Sequence, residues 1–81
     1  MRFARAKFIS DAYAEALFYA NLGVDHMQAG DPDTAFAYYK RAIQSDATNP
    51  VAWNNLAVLY SRYGRPKLAQ RTYETALALN P

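Results

Sequence analysis

Apolar positions recur at helical spacing along most of this chain. Tyr13, Leu17, Ala20 and Val24 fall on one stripe, three or four residues apart, and Ala12, Ala14 and Ala16 between them favour helix. The stripe predicts a helix over residues 11–28, capped by Ser10 or Asp11, whose side-chain oxygens can accept the free amides of a first turn. Ala29-Gly30 ends it, because glycine takes the left-handed conformation that a tight reversal needs. Asp31-Pro32 starts a second helix reaching about Ser45: aspartate caps, and proline at the first helical position gives up no hydrogen bond. Asn49-Pro50 repeats that punctuation and opens a third helix over residues 50–62. Tyr63-Gly64-Arg65-Pro66 then turns into a fourth, which reaches about Leu79. Four helices joined by such short links fold as antiparallel neighbours.

The second half carries a spaced motif. Trp53, Leu56, Ala57 and Tyr60 follow W-x-x-L-[GA]-x-x-Y, Ala69, Tyr73 and Ala76 follow A-x-x-x-[FY]-x-x-A, and Pro81 closes the unit. Moved back by 34 residues, the motif lands on Tyr19, Leu22, Gly23, His26, Ala35, Tyr39 and Ala42. Eight pairs are then identical: Asn21/Asn55, Leu22/Leu56, Val24/Val58, Gly30/Gly64, Pro32/Pro66, Ala35/Ala69, Tyr39/Tyr73 and Ala42/Ala76. Composition alone would give about two such matches. The expected organisation is therefore an N-terminal extension, residues 1–15, followed by tandem repeats over residues 16–49 and 50–81.

This pattern resembles the tetratricopeptide repeat, a helix–turn–helix unit of 34 residues. The resemblance implies an all-α fold, with antiparallel helix-turn-helix repeats stacked as a short right-handed α-solenoid, and a piece of a larger bacterial protein. It places small Gly23 and Ala57 where the first helix of each pair crosses the second, near Ala35 and Ala69. Tyr19, Trp53, Tyr39 and Tyr73 become wedges beside those crossings. The family holds partner peptides in a concave groove lined by the first helices. Carried onto this chain, the groove residues are Leu17, Ala20, Asn21, Val24 and Gln28, then Val51, Asn54, Asn55, Val58 and Arg62. For Asn21 and Asn55 an interhelical hydrogen bond is an equal alternative to ligand contact. The family's clamp for chaperone C-terminal carboxylates needs lysines where this chain has Ala20 and Val24; Asn55 alone matches, and the clamp is excluded.

Composition narrows the function further. Eighty-one residues make one small domain, and without cysteine neither disulfides nor thiolate metal sites can brace it. No segment approaches a membrane span, and the first ten residues do not read as a signal peptide. His26 and Asp25 are sequence neighbours, pointing about 100° apart on a helix, so they form no catalytic pair; His26 reads as a packing residue. With no nucleophile, paired-carboxylate, phosphate-loop or metal-ligand motif, the chain reads as non-enzymatic, with no cofactor and no metal. The net charge of +2 is uneven: Arg62, Arg65, Lys67 and Arg71 of the second repeat face Glu74 alone. That balance could attract acidic peptide or nucleic acid, but no aromatic–basic interleaving accompanies it, so it reads as a solvated face and points away from nucleic acid.

The leading functional expectation is a protein–protein interaction module that takes a partner peptide or domain in the concave groove. A second is a homo-oligomer formed through the uncapped C-terminal end, where Leu68, Leu77 and Leu79 are expected to expose an apolar patch. The opening and tail also resemble, more loosely, the repeat segment beside a transglutaminase-like peptidase domain, which would make the chain an accessory domain of an enzyme.

Overall fold

The computed structural model describes residues 2–79, with side chains described from Asp11 onward. Four helices follow one another: α1 Arg2–Gln28, α2 Pro32–Ser45, α3 Pro50–Arg62 and α4 Pro66–Leu79. The start of α1 differs from expectation, since the helix begins at Arg2 rather than at a cap near residue 11. Residues 2–10 hold no glycine or proline, and Ala4, Arg5, Ala6 and Lys7 are strong helix formers, so nothing stops propagation. Asp11 is exposed, and a short polar side chain on a solvated helix face is tolerated there. The closing proline of the motif, Pro81, lies outside the described residues.

Both hairpins turn by one device. Gly30 and Gly64 have φ of 80° and 78°, in the left-handed region. Around them Asp31 N–H donates to the His26 carbonyl at 2.9 Å and Arg65 N–H to the Tyr60 carbonyl at 2.8 Å, closing the ends of α1 and α3. The next helix starts at once. Asp31 accepts from Thr34 N–H at 3.2 Å to cap α2, and Asn49 accepts from Val51 N–H at 3.0 Å to cap α3.

α1 packs against α2, and α3 packs against α4, α2 and α1, whereas α4 touches α3 alone. The stacking of α3 onto the first pair makes the core. One cluster joins Met27, Ala35, Tyr39, Leu56 and Leu59, with Val24, Phe36, Ile43 and Tyr60 against it. A second is built of Ala20, Ala42 and Ala52, where small side chains let three helices approach. Gly23 has the same role at the α1–α2 crossing: a Cβ there would lie 2.4 Å and 2.6 Å from Tyr39 ring carbons. The result is a short α-solenoid of two stacked helix hairpins.

The four wedges do not fare alike. Tyr39 is fully enclosed, at 2% exposure. Trp53 is half-buried and its indole N–H donates to the Ala47 carbonyl at 2.8 Å, pinning the α2–α3 link to α3. Tyr19 is half-buried, and Tyr73 is 36% exposed because no described element follows α4 to cover it.

Candidate functional site

The ten groove positions divide between two surfaces and the core. Ala20 leaves the set: it is 1% exposed, locked between Ala42 and Ala52, because α3 stacks over it. Leu17 is half-buried. On α1, Asn21 and Gln28 are exposed around half-buried Val24, which rests on the Met27–Tyr39–Leu56–Leu59 cluster. On α3, half-buried Asn55 and Val58 lead to exposed Arg62. Asn21, Val24 and Gln28 are the repeat equivalents of Asn55, Val58 and Arg62, so neighbouring helices present matching stripes, each with a valine at its middle. Neither Asn21 nor Asn55 makes a side-chain hydrogen bond among the described residues, which removes the interhelical bond as their role and leaves their amides available.

Val51 and Asn54 belong elsewhere. They turn toward α4 and, with Pro50, Tyr73, Ala76 and Leu77, line an open depression of about 420 Å³ at the end of the stack. Val51 is 38% exposed and Leu77 65%; Leu68 and Leu79 are 42% and 37% exposed but lie round α4 from Leu77, about 160–180° away at 100° per residue, so the three leucines are exposed as expected without forming one patch.

The electrostatics tie these surfaces to the frame. Burial pushes the Tyr39 hydroxyl above its ordinary range, and the charge of Arg62 opposes that shift, so Arg62 acts across from α3 onto the α2 wedge. Hydrogen bonds from Thr34 hold the Asp31 carboxyl below its usual value, with a smaller pull from His26. His26 Nδ1 lies 3.5 Å from the Asp31 carboxylate, and its ring stacks on Tyr38 with centroids 5.4 Å apart. The histidine is thus a packing and hairpin-closing residue.

One surface escaped the sequence reading. Tyr19 and Tyr38 stack at 6.2 Å, exposed Phe18 meets Tyr19 edge-on, Arg41 lies 5.1 Å over the Tyr19 ring and Lys40 5.6 Å over Phe36. Basic and aromatic groups do interleave, in the first hairpin rather than the second. Phe36 and Lys40, four apart on α2, could have been found from spacing alone. The Arg41–Tyr19 pair bridges two helices and has no local signature.

A profile of the tetratricopeptide repeat matches residues 26–81, the end of α1 and all of α2, α3 and α4. The chain belongs to the tetratricopeptide repeat family. It is accordingly a protein–protein interaction module. Among curated proteins it is 33% identical over 69 residues to the photosystem I assembly protein Ycf3 of Cyanophora paradoxa, covering 85% of this chain and 40% of that protein. Ycf3 of Cuscuta gronovii is 34% identical over 68 residues, 84% of this chain and 40% of its own length. The uncharacterized protein Ycf37 of Pyropia yezoensis is 35% identical over 65 residues, 80% of this chain and 36% of its own. This tetratricopeptide chain spans about 40% of the length of the Ycf3 relatives. No described helix is long and apolar enough to cross a membrane.

Proposed function

We propose that the chain is a non-catalytic assembly module that holds an extended segment of a partner protein against the α1/α3 face. The observation that carries this reading is the pair of repeat-equivalent stripes, Asn21–Val24–Gln28 and Asn55–Val58–Arg62, on two helices packed side by side. Each stripe offers a half-buried valine for an apolar side chain and a free amide for the partner's backbone. Exposed Arg62 adds one charged donor, which suits a segment with spaced apolar residues and an acidic group. The names of the Ycf3 relatives support assembly of a multi-subunit complex, with the bound segment belonging to a subunit on its way into it, over service to a peptidase domain.

Two short stripes give few contacts, so an isolated segment should bind weakly, at about 10 μM or poorer, or about −7 kcal/mol. A library of acidic–apolar peptides screened by amide chemical shifts tests the site. The expected result is shifts along Asn21–Gln28 and Asn55–Arg62, abolished by Arg62→Glu with the fold intact. Shifts confined to α2 and α4, around Phe36, Tyr38 and Arg71, would refute the assignment.

A further inference from the structure

The outer side of α2 is built unlike its counterpart on α4. At about 100° per residue, buried Ala35, Tyr39 and Ala42 point inward, and Ala37 and Gln44 fall on the opposite, outward line. Phe36 and Tyr38 stand on either flank of Ala37. Phe36 meets Tyr60 of α3 at 6.2 Å, and Tyr38 stacks on Tyr19 and His26, two turns apart on α1, at 6.2 Å and 5.4 Å. The small, exposed side chain of Ala37 thus lies between two aromatic shoulders, where a depression of about 460 Å³ opens. Lys40 and Arg41 line it, one on each side of the outward line. Stacking of repeats does not require this arrangement. The same positions 34 residues on hold Gln70, Arg71, Thr72, Glu74 and Thr75, with no aromatic shoulder and no pair of cations. The depression also faces away from the α1 and α3 contacts, so a repeat stacked beyond α4 would leave it open.

We propose that this depression binds an acidic, extended segment of a partner protein, with an apolar side chain over Ala37 and a carboxylate on each side of it. The one ion pair within 4 Å among the described residues is His26–Asp31, so neither Lys40 nor Arg41 has a carboxylate partner there. The Glu15 carboxylate, across on α1, accepts from the Ser45 hydroxyl at 2.8 Å instead. Lys40 is held 5.6 Å over the Phe36 ring and Arg41 5.1 Å over the Tyr19 ring. A ligand that pairs with them therefore orders less side-chain freedom than it would at unsupported surface cations. An extended chain turns alternate residues to one side, so an acid–apolar–acid pattern at alternate positions presents all three groups together.

The rings favour a peptide over a nucleic acid. Base stacking needs an open ring face. Here Tyr38 has Tyr19 and His26 against it, Arg41 covers Tyr19, and Lys40 and Tyr60 flank Phe36. Exposed Phe18 meets Tyr19 edge-on but does not line the depression. A ligand is left with ring edges, the positive end of the aromatic quadrupole, and with two cationic heads, which together suit carboxylates. This surface is separate from the α1/α3 face, and either can fail without the other.

The test uses the 81-residue chain and a synthetic peptide containing Glu-Ala-Leu-Ala-Glu, with a second peptide that replaces the glutamates with lysines. At about 0.15 M salt distant charges are screened, so the comparison reads the local site. Amide shifts at Ala37, Tyr38, Lys40, Arg41 and Gln44 are expected, with the acidic peptide at least about tenfold tighter than the basic one. Lys40→Glu and Arg41→Glu should each weaken binding by about tenfold or more, while Arg71→Glu, the same change of charge on α4, should leave it within about twofold. Ala37→Leu fills the depression at an exposed position without altering charge, and should also cost about tenfold or more. Arg62→Glu, which should abolish binding at the α1/α3 face, should not affect this binding. Equal affinity for the two peptides, no binding of either, or the same loss from Arg71→Glu as from Arg41→Glu would each overturn the proposal. So would shifts confined to the α1/α3 face, or tighter binding of an oligothymidylate than of the acidic peptide, the last in favour of nucleic acid.

Discussion

Replacing Gly23 with alanine sets two effects of known size against each other. Gly23 lies inside α1, where alanine is the better helix former by about 1 kcal/mol. Propensity alone therefore predicts that Gly23→Ala stabilises. The packing predicts the reverse. The new Cβ would sit 2.4 Å and 2.6 Å from two Tyr39 ring carbons and 3.0 Å from a third, where carbon atoms favour about 3.5–4.0 Å. Tyr39 cannot swing away, being 2% exposed and held by Met27, Ala35, Leu56 and Leu59. Overpacking of this kind costs about 1–3 kcal/mol, and contacts this short with a pinned ring belong at the upper end. After the helix gain, a net loss of about 1–2 kcal/mol remains, or a fall in Tm of about 4–15 °C for a domain this small.

Urea and thermal denaturation followed by circular dichroism read that number, and a double-mutant cycle assigns it. In a Tyr39→Leu background the ring is gone, so adding Gly23→Ala should become neutral or stabilising by up to about 1 kcal/mol. The second hairpin provides the mirror case. Ala57 occupies the equivalent position and is fully buried, so Ala57→Gly should destabilise by about 1 kcal/mol or more. A Gly23→Ala protein as stable as the parent, or equally destabilised with and without the Tyr39 ring, would show that the crossing is not built as described.

Two further perturbations probe the helix starts. Asn49 is 2% exposed and its amide nitrogen has no partner among the described residues, while its oxygen caps α3; Asn49→Ala should therefore cost about 0.5–2 kcal/mol, whereas Asn49→Ser keeps an accepting oxygen and removes the orphan NH2, so it should melt close to the parent, and equal losses for both would contradict the cap. Asp31 is more acidic in the folded protein than its ordinary value of 3.8, so its contribution is complete above about pH 4 and is lost as pH falls through the lower folded value; an acid titration monitored at the Thr34 amide should show this, and Asp31→Asn should flatten that limb of the stability curve.

What the sequence disclosed was what local chemistry determines. Gly30 and Gly64, Asp31 and Asn49, Pro32, Pro50 and Pro66 punctuate the chain, and the three later helices fall at the expected residues. The start of α1 was illegible because a cap residue permits a boundary without imposing one, and the residues before Ser10 propagate helix freely. The site was harder to see for a related reason. Ala20, Asn54 and Val51 share helix faces with true surface residues, and only the stacking of α3 decides which are covered. The aromatic–basic surface was hidden likewise, since Tyr19 and Arg41 meet only after the hairpin closes.

Tyr39 and Tyr73 carry that argument one step further. They are the same residue at the same repeat position, yet one is enclosed and the other lines an open depression. Two differences separate them. α3 covers Tyr39, and nothing described covers Tyr73; Gly23 leaves room for the Tyr39 ring, and the repeat-equivalent Ala57 carries a methyl where Gly23 has none. The two differences can be separated by one substitution. Ala57→Gly removes the methyl and restores at the second crossing the room that Gly23 leaves at the first. If that room decides where the ring goes, Tyr73 should become less accessible in the Ala57→Gly protein, read by its fluorescence quenching or ring chemical shifts. An unchanged Tyr73 would show that the covering by α3, and not the glycine, encloses Tyr39.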